Sequence, residues 1–260
     1  MAVESRAFDR AASFYDRTRG LSPEATARVT ELLRGELNVR GRCLEIGVGT
    51  GRIAWPLHQA GIAMVGVDLS QPMMDVLVEK AGGTPPFLLV QGDATVLPFP
   101  DRRFGAAIAS HVFHLIPAWR AALGELVRVV RPGGVVLSSR GGRDLEGPLA
   151  AATVEFQACI GSDARHIGAT HAGSEVEDAM ADLGAEQRVL PVVRDTRTTT
   201  VGTMIKSLEA GQWSWAWGVP PARLHEAAEH TREWAGAQIG PLDAPVVVES
   251  QIDWKAFDLA

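Results

Sequence analysis

Between Gly41 and Gly142 five short apolar runs alternate with segments of helical periodicity, and this alternation limits the fold more than any other feature of the chain. The runs are "GRCLEIGV", "AMVGVDLS", "PFLLVQGDA", "FGAAIASHV" and "GVVLSSRGG". Between them lie "GRIAWPLHQAG", ending in Gly61, a segment from Gln71 to Lys80, and a segment from Trp119 to Val130 stopped by Pro132 and a glycine pair. Strands that are apolar almost throughout are those buried on both faces. With right-handed crossovers, few topologies remain. The pattern predicts an α/β fold, a doubly wound and mostly parallel sheet.

The flanks carry weaker signals. Two helices are expected before the first strand, the second opening with Ser22 as N-cap and Pro23 at its first position. Pro56 is expected to kink the helix it sits in. Past Gly141, "GPLAAATVEFQACIGSD" reads as helix, and "SEVEDAMADLGA" as an amphipathic helix with Ser174 and Glu177 at capping-box spacing. "EQRVLPVVRDTRTTT" reads as one strand, "PPARLHEAAEHTREWAGAQIG" as a helix and "PVVVESQIDWKAFDL" as one closing strand. No repeat or linker is visible, so a single domain is the simplest reading.

Composition narrows the partners. A formal charge of −6 lacks the concentrated basic face that a nucleic acid needs. No run approaches the roughly 18 apolar residues of a membrane span, and the first residues show no secretory pattern. Cys43 and Cys159 stand far apart without CxxC spacing, which implies neither a disulfide framework nor a zinc site. The expected location is the cytoplasm, with no metal.

The loop "GVGTGR" follows the first strand. Glycines at a strand-to-helix turn allow close backbone approach, and the new helix presents its positive end, which suits a carboxylate or phosphate. A dinucleotide fingerprint wants GxGxxG. Here Gly47, Gly49 and Gly51 alternate and Arg52 stands at the place of the final glycine. A nicotinamide oxidoreductase is therefore the weaker alternative, beside a cofactor-binding module without chemistry.

With Glu45 two positions before the first glycine, this loop resembles motif I of the class I S-adenosylmethionine-dependent methyltransferases. Asp68 in "GVDLS", Asp93 in "QGDA", and then "LPFPDRRF" and "VRVVRPGG" resemble further stretches of that family in the same order, over about residues 40 to 140. The chain most resembles the small-molecule, ubiquinone-biosynthesis-like type 11 branch. One departure is Gly105, where the family usually carries Asp.

The resemblance implies a seven-stranded Rossmann-like sheet in a single domain over 1–260, with lid helices over 1–40, the cofactor core over 41–140 and acceptor-lid helices after 141. It implies S-adenosyl-L-methionine as cofactor, S-adenosyl-L-homocysteine as product and a small-molecule acceptor. Gly47, Val48, Gly49, Gly51 and Arg52 would meet the methionyl end, with Glu45 ordering the loop or meeting the ammonium through water. Asp68 would grip the ribose diol, Leu69 and Met73 would sandwich the adenine, and Asp93, with Ala94, would face its amino group. Tyr15 resembles a lid tyrosine that reaches the cofactor carboxylate, and Ser110 is a further expected contact.

His111 and His114 follow the fourth strand, where parallel strands open onto a binding crevice. His111 is the better candidate base and His114 the weaker, and both are candidates for the acceptor pocket. Trp213 and Trp215 offer aromatic faces to an acceptor or to a packed core. The sulfonium is already a strong electrophile, so the expected chemistry is direct in-line transfer without a covalent enzyme intermediate.

Overall fold

The computed structural model describes residues 8–139, 147–161, 168–169 and 174–260. Contacts divide them into two units, where the sequence reads as one domain. Unit 1 comprises the described residues of Met1–Gly141, Ile167–Val193 and Gln251–Ala260; unit 2 those of Gly142–His166 and Arg194–Ser250.

Unit 1 holds a seven-stranded sheet. Its strands are β1 (Cys43–Ile46), β2 (Met64–Asp68), β3 (Leu88–Gln91), β4 (Phe104–Ser110), β5 (Val130–Ser139), β6 (Ala185–Val189) and β9 (Lys255–Leu259), in the order β3-β2-β1-β4-β5-β9-β6. β1 to β5 pair in parallel, and β9 runs antiparallel to both β5 and β6. The expected doubly wound, mostly parallel sheet is the one observed. Strand order reverses between β1 and β4, which opens the crevice at their C-terminal tips.

Period-two alternation puts both faces of the central strands into cores. Cys43, Ala106, Ile108, Val135 and Leu137 face a cluster with helices α2 (Pro23–Leu37), α3 (Ala54–Gln59) and α4 (Gln71–Lys80). Leu44, Ile46, Ala107, Ala109 and Val136 face a second cluster with α5 (Trp119–Val129) and α7 (Glu175–Asp182). α2 buries Ala25, Val29, Leu33 and Leu37, one residue per turn. Its cap is the expected one, Ser22 accepting from Ala25 N–H at 3.1 Å. Pro56 falls in the first turn of α3, where its missing N–H costs little, so no kink is needed there.

Three expectations are corrected. The run 186–200 is two strands, because Leu190 turns inward and Pro191 follows it; β6 stays in the main sheet and β7 (Val193–Thr200) leaves it. The closing run likewise splits into β8 (Pro245–Ile252), which pairs with β7 in a separate two-stranded sheet, and β9. The capping box fails as well: Ser174 is not extended and bonds Asp178, while Glu177 is buried and bonded to Lys255 on β9.

Unit 2 contains α6 (Gly147–Ile160), α8 (Val201–Glu209) and α9 (Pro221–Gln238), packed around Leu149, Phe156, Ile205, Leu208, Leu224 and Ala228. Trp215 lies in this core, 6.4 Å from the Phe156 ring, with Trp213 tilted against it at 6.3 Å.

Gly105 has a structural cause. A Cβ there would lie 1.5 Å from the Arg40 carbonyl oxygen, and β4 shifts register against β5 at this point. Arg40 cannot retreat easily, since its guanidinium reaches the carbonyls of Glu36 and Gly133 and the carboxylate of Asp258. Gly105→Ala should therefore destabilise the chain by about 3 kcal/mol or more. Gly124→Ala, in an open position on α5, should be neutral or stabilising by about 0.5–1 kcal/mol. Urea unfolding of both checks the pair, and similar stabilities would refute the close approach.

Candidate active site

The site begins with the shape of the loop after β1. Gly47 takes φ +65°, and a Cβ on it would lie 2.6 Å from the side chain of Val112, which follows β4. Gly51 takes φ +75°, and a Cβ there would lie 2.5 Å from Leu77 of α4. Both positions need glycine for conformation and for space. The loop is thereby pressed between the element after β4 and the helix after β2.

Asp68, at the tip of β2, fixes the loop from the side. Its Oδ2 accepts from Gly49 N–H at 2.7 Å and its Oδ1 from Ser70 N–H at 2.8 Å. The Leu69 N–H also bonds to this carboxylate, whose two oxygens together have room for about four donors. Ser70 in turn caps α4 at Met73 N–H and donates to Asp9 at 2.6 Å. Burial pushes the Asp68 carboxyl above its ordinary range, against the pull of these backbone N–H groups.

The expected loop contacts divide into several roles. Val48 N–H is bonded to Val67 O, Gly51 N–H to Val48 O, and Gly49 N–H to Asp68, so three of the loop's donors are used inside the protein. The Val48 side chain packs against Gly66 and Ala94 is buried in the second core. Both side chains are committed to packing. Arg52 donates from Nη2 to Ser110 Oγ at 3.1 Å and from Nη1 to Arg19 O at 3.4 Å, crossing the reversal between β1 and β4. Ser110 is therefore a partner of Arg52.

Met73 is buried, its Cε 3.1 Å from where a Gly49 Cβ would be, while Leu69 is only half-buried. Asp93 Oδ1 accepts from both the N–H and the hydroxyl of Thr95, at 2.9 and 2.8 Å, which shapes the turn after β3. Tyr15 opens the short helix α1 (Tyr15–Arg19), its ring edge-on to Phe8 at 6.1 Å.

The neighbour of Tyr15 was not singled out in the sequence. Asp16 accepts from Thr50 Oγ1 at 2.6 Å and from Lys80 Nζ at 2.9 Å, joining α1 to the glycine loop and to the end of α4. Thr50 and Asp16 are 34 positions apart, and no spacing rule links them. The stretches "LPFPDRRF" and "VRVVRPGG" are also tied to each other: Arg128 bonds the carbonyls of Leu97 and Phe99 and the carboxylates of Asp101 and Glu125.

His111 stands at the tip of β4 with φ +53°, a left-handed backbone, and its N–H is bonded to Ser139 O at 2.8 Å. Backbone of this kind in a non-glycine residue concentrates at functional sites. His114 lies in the following 3-10 turn (Phe113–Leu115), whose backbone is pressed against Gly168. The two histidines do not share a helical face, because the chain turns left-handed at the first.

Glu45 lies under the loop, 2% exposed, and its Oε2 has no hydrogen-bond partner among the described residues. Burial raises its pKa to about 8, against the opposing effects of the Arg52 charge and the Ala54 N–H, and with a contribution from the Asp68 charge. The folded chain thus holds a proton there that the unfolded chain has released between about pH 4.5 and 8. The cost to stability is absent below the ordinary carboxylate range, grows as pH rises, and is full above about 8. Glu45→Gln should remove that dependence, so the variant gains on the order of 3 kcal/mol relative to the parent between about pH 5 and pH 8. Urea unfolding at both pH values measures the gap, and a pH-independent gap would mean an ordinary carboxylate.

A family described as a methyltransferase domain, type 11, matches residues 44–138. The chain is 37% identical over 165 residues to a phosphatidylethanolamine N-methyltransferase of Cereibacter sphaeroides, covering 60% of this chain and 78% of that protein. It is 28% identical over 228 residues to a malonyl-[acyl-carrier protein] O-methyltransferase of Serratia marcescens, covering 86% of this chain and 80% of that one. The YcgJ protein of Bacillus subtilis shares the fold, with a TM-score of 0.59 at 19% identity over 90% of this chain and 99% of its own.

The nicotinamide alternative is not favoured. Its fingerprint wants a small residue where Arg52 reaches across the strand reversal. The loop, the Asp68 carboxylate and the buried Glu45 fit the donor and acceptor needs of a sulfonium nucleoside. The chain belongs to the class I S-adenosylmethionine-dependent methyltransferases, in their type 11 branch.

Proposed function

We propose that the chain holds S-adenosylmethionine along the tips of β1, β2 and β3 and methylates a small-molecule acceptor presented at the tip of β4, beside His111. The left-handed backbone of His111 at the strand reversal is the observation that carries this reading. When bound, the cofactor supplies a methyl group activated by its sulfonium and open to direct displacement.

The chain's own residues then have distinct tasks. Asp68 offers its remaining acceptor capacity to the ribose diol, and Asp93 and Leu69 border the adenine. Gly47, Gly49 and Gly51 admit the methionyl end, with Tyr15 and Asp16 on the N-terminal side. Of the expected lid, this N-terminal part is the one the reading uses, because it is bonded to the loop itself. Trp213 and Trp215 are not assigned to the acceptor, since their rings serve packing in unit 2.

Three relatives are named for different acceptors: a phosphatidylethanolamine N-methyltransferase, a malonyl-[acyl-carrier protein] O-methyltransferase and a demethylmenaquinone methyltransferase. His111 would serve a hydroxyl, phenol or acidic carbon by accepting its proton as the methyl arrives; an amine would need only to enter neutral. The net charge of −6 supports an acceptor other than nucleic acid. Among the described residues no helix is long and apolar enough to cross a membrane, and a cytoplasmic location is the proposal that accompanies this.

Asp68→Ala should weaken cofactor binding by about a hundredfold, two charge-assisted bonds at about 1.5 kcal/mol each. Calorimetry with S-adenosylmethionine and S-adenosylhomocysteine reads this, and unchanged affinity would remove Asp68 from the site. His111→Gly and His111→Asn both tolerate the left-handed backbone. Both should slow turnover by about 10²–10⁴-fold if the imidazole is the base, with cofactor affinity kept. Equal turnover in all three proteins would exclude His111 from proton transfer.

A further inference from the structure

Two helices of unit 2 bring a carboxylate, a thiol and an imidazole together. On α6, Glu155 and Cys159 are one turn apart, next to the buried stripe of Ala152, Phe156 and Ile160. On α9, His230 lies beside the buried Ala227 and Thr231. One ligand atom from each of Glu155, Cys159 and His230 lies within 4.8 Å of the other two, and His230 Nε2 is 2.8 Å from Glu155 Oε1.

The scaffold under these atoms is firm. α6 and α9 share one core, through Leu149, Phe156, Leu224 and Ala228 among others. Arg223, near the start of α9, also donates to the carbonyls of Cys159 and Ile160 at 3.3 Å, tying the end of α6 in place. A tetrahedral zinc ion with bonds of about 2.0–2.3 Å needs donors roughly 3.3–3.8 Å apart. Donor atoms within 4.8 Å of one another are about 1 Å or less from that spacing. A donor set of thiolate, imidazole and carboxylate favours a thiophilic divalent cation over magnesium or calcium. The negative end of α6 adds attraction for a cation.

We propose that Glu155, Cys159 and His230 form a zinc-class site, with three protein ligands and an open fourth position, that pins α6 to α9. On binding, the Cys159 thiol gives its proton to solvent and a sulfur–metal bond forms, with no change of oxidation state. Spacing within the sequence points away from zinc because the cysteines are far apart; the third ligand comes from a helix 71 positions after Cys159, about which CxxC counting is silent. Among the described residues, the other cluster with ligand atoms this close, Glu209, His225 and Glu229, is different. Arg232 is bonded to both of its carboxylates and no sulfur is present.

The test is a cobalt titration of the full-length, untagged, metal-free chain. One equivalent of Co²⁺ should produce a near-ultraviolet thiolate-to-cobalt charge-transfer band with tetrahedral visible bands, both lost on adding Zn²⁺. Cys43 is fully buried, so the band reports Cys159. Cys159→Ser should abolish it, and Glu155→Gln and His230→Ala should each weaken zinc binding by about tenfold or more. Zinc should raise the melting temperature of the parent and not of Cys159→Ser, with circular dichroism showing that the variants fold. No charge-transfer band at one equivalent, or a band that survives Cys159→Ser, would overturn the proposal. So would cobalt binding unaffected by Glu155→Gln and His230→Ala.

Discussion

The geometry of the glycine loop depends on one half-buried carboxylate that takes backbone donors from two elements. Asp68 binds the glycine loop through Gly49 and the start of α4 through Ser70, so the tip of β2 sets the shape of a loop that belongs to β1. Removing a carboxylate from water is costly, and oriented N–H groups are what offset it. From Ser70 the bonding continues to Asp9, and a parallel path runs from Thr50 through Asp16 to Lys80. Both paths run through the N-terminal segment, at Asp9 and at Asp16 of α1, and tie that segment to the glycine loop and to α4. Their net worth is about 1 kcal/mol per neutral bond and somewhat more for those involving a carboxylate.

This internal bonding changes what the loop has to offer. Three of its N–H groups already have acceptors in the protein. A reading of the loop as a ring of free donors around an anion is thus too simple. What the alternating glycines supply is a surface without side chains, held in a left-handed backbone by Val112 on one side and Leu77 on the other. The polar groups around it are acidic: the carboxylates of Asp68 at the tip of β2 and Asp93 after β3, and Glu45 beneath, whose raised pKa keeps it protonated up to about pH 8. That balance suits a ligand bearing hydroxyls and positive charge better than a pyrophosphate.

Much of unit 1 was legible because its signals are local. Buried parallel strands announce themselves as apolar runs, and Ser22 before Pro23 or Ser70 before α4 marks a helix start within three residues. The splits at Leu190–Pro191 and at Asp253 were illegible, since each run is extended throughout and only pairing shows that its halves join different sheets. Ser174 and Glu177 had the spacing of a capping box, but Lys255 on a distant strand took the glutamate. Asp16 was passed over for the neighbouring Tyr15, because its partners Thr50 and Lys80 lie 34 and 64 positions away. The Glu155, Cys159 and His230 group is non-local in the same way.

Arg52 shows how a departure from one motif can be a requirement of another. In a dinucleotide loop the last small residue lets the helix pack closely on the strand. Here close packing is secured one position earlier, by Gly51 against Leu77, which leaves the next side chain at liberty to do something else. It spans the strand reversal to Ser110 and to the carbonyl of Arg19, and its charge also offsets part of the cost of burying Glu45. A glycine at this position would withdraw both the tie across the crevice and the counter-charge under the loop. Arg52 therefore couples the loop after β1 to the tip of β4.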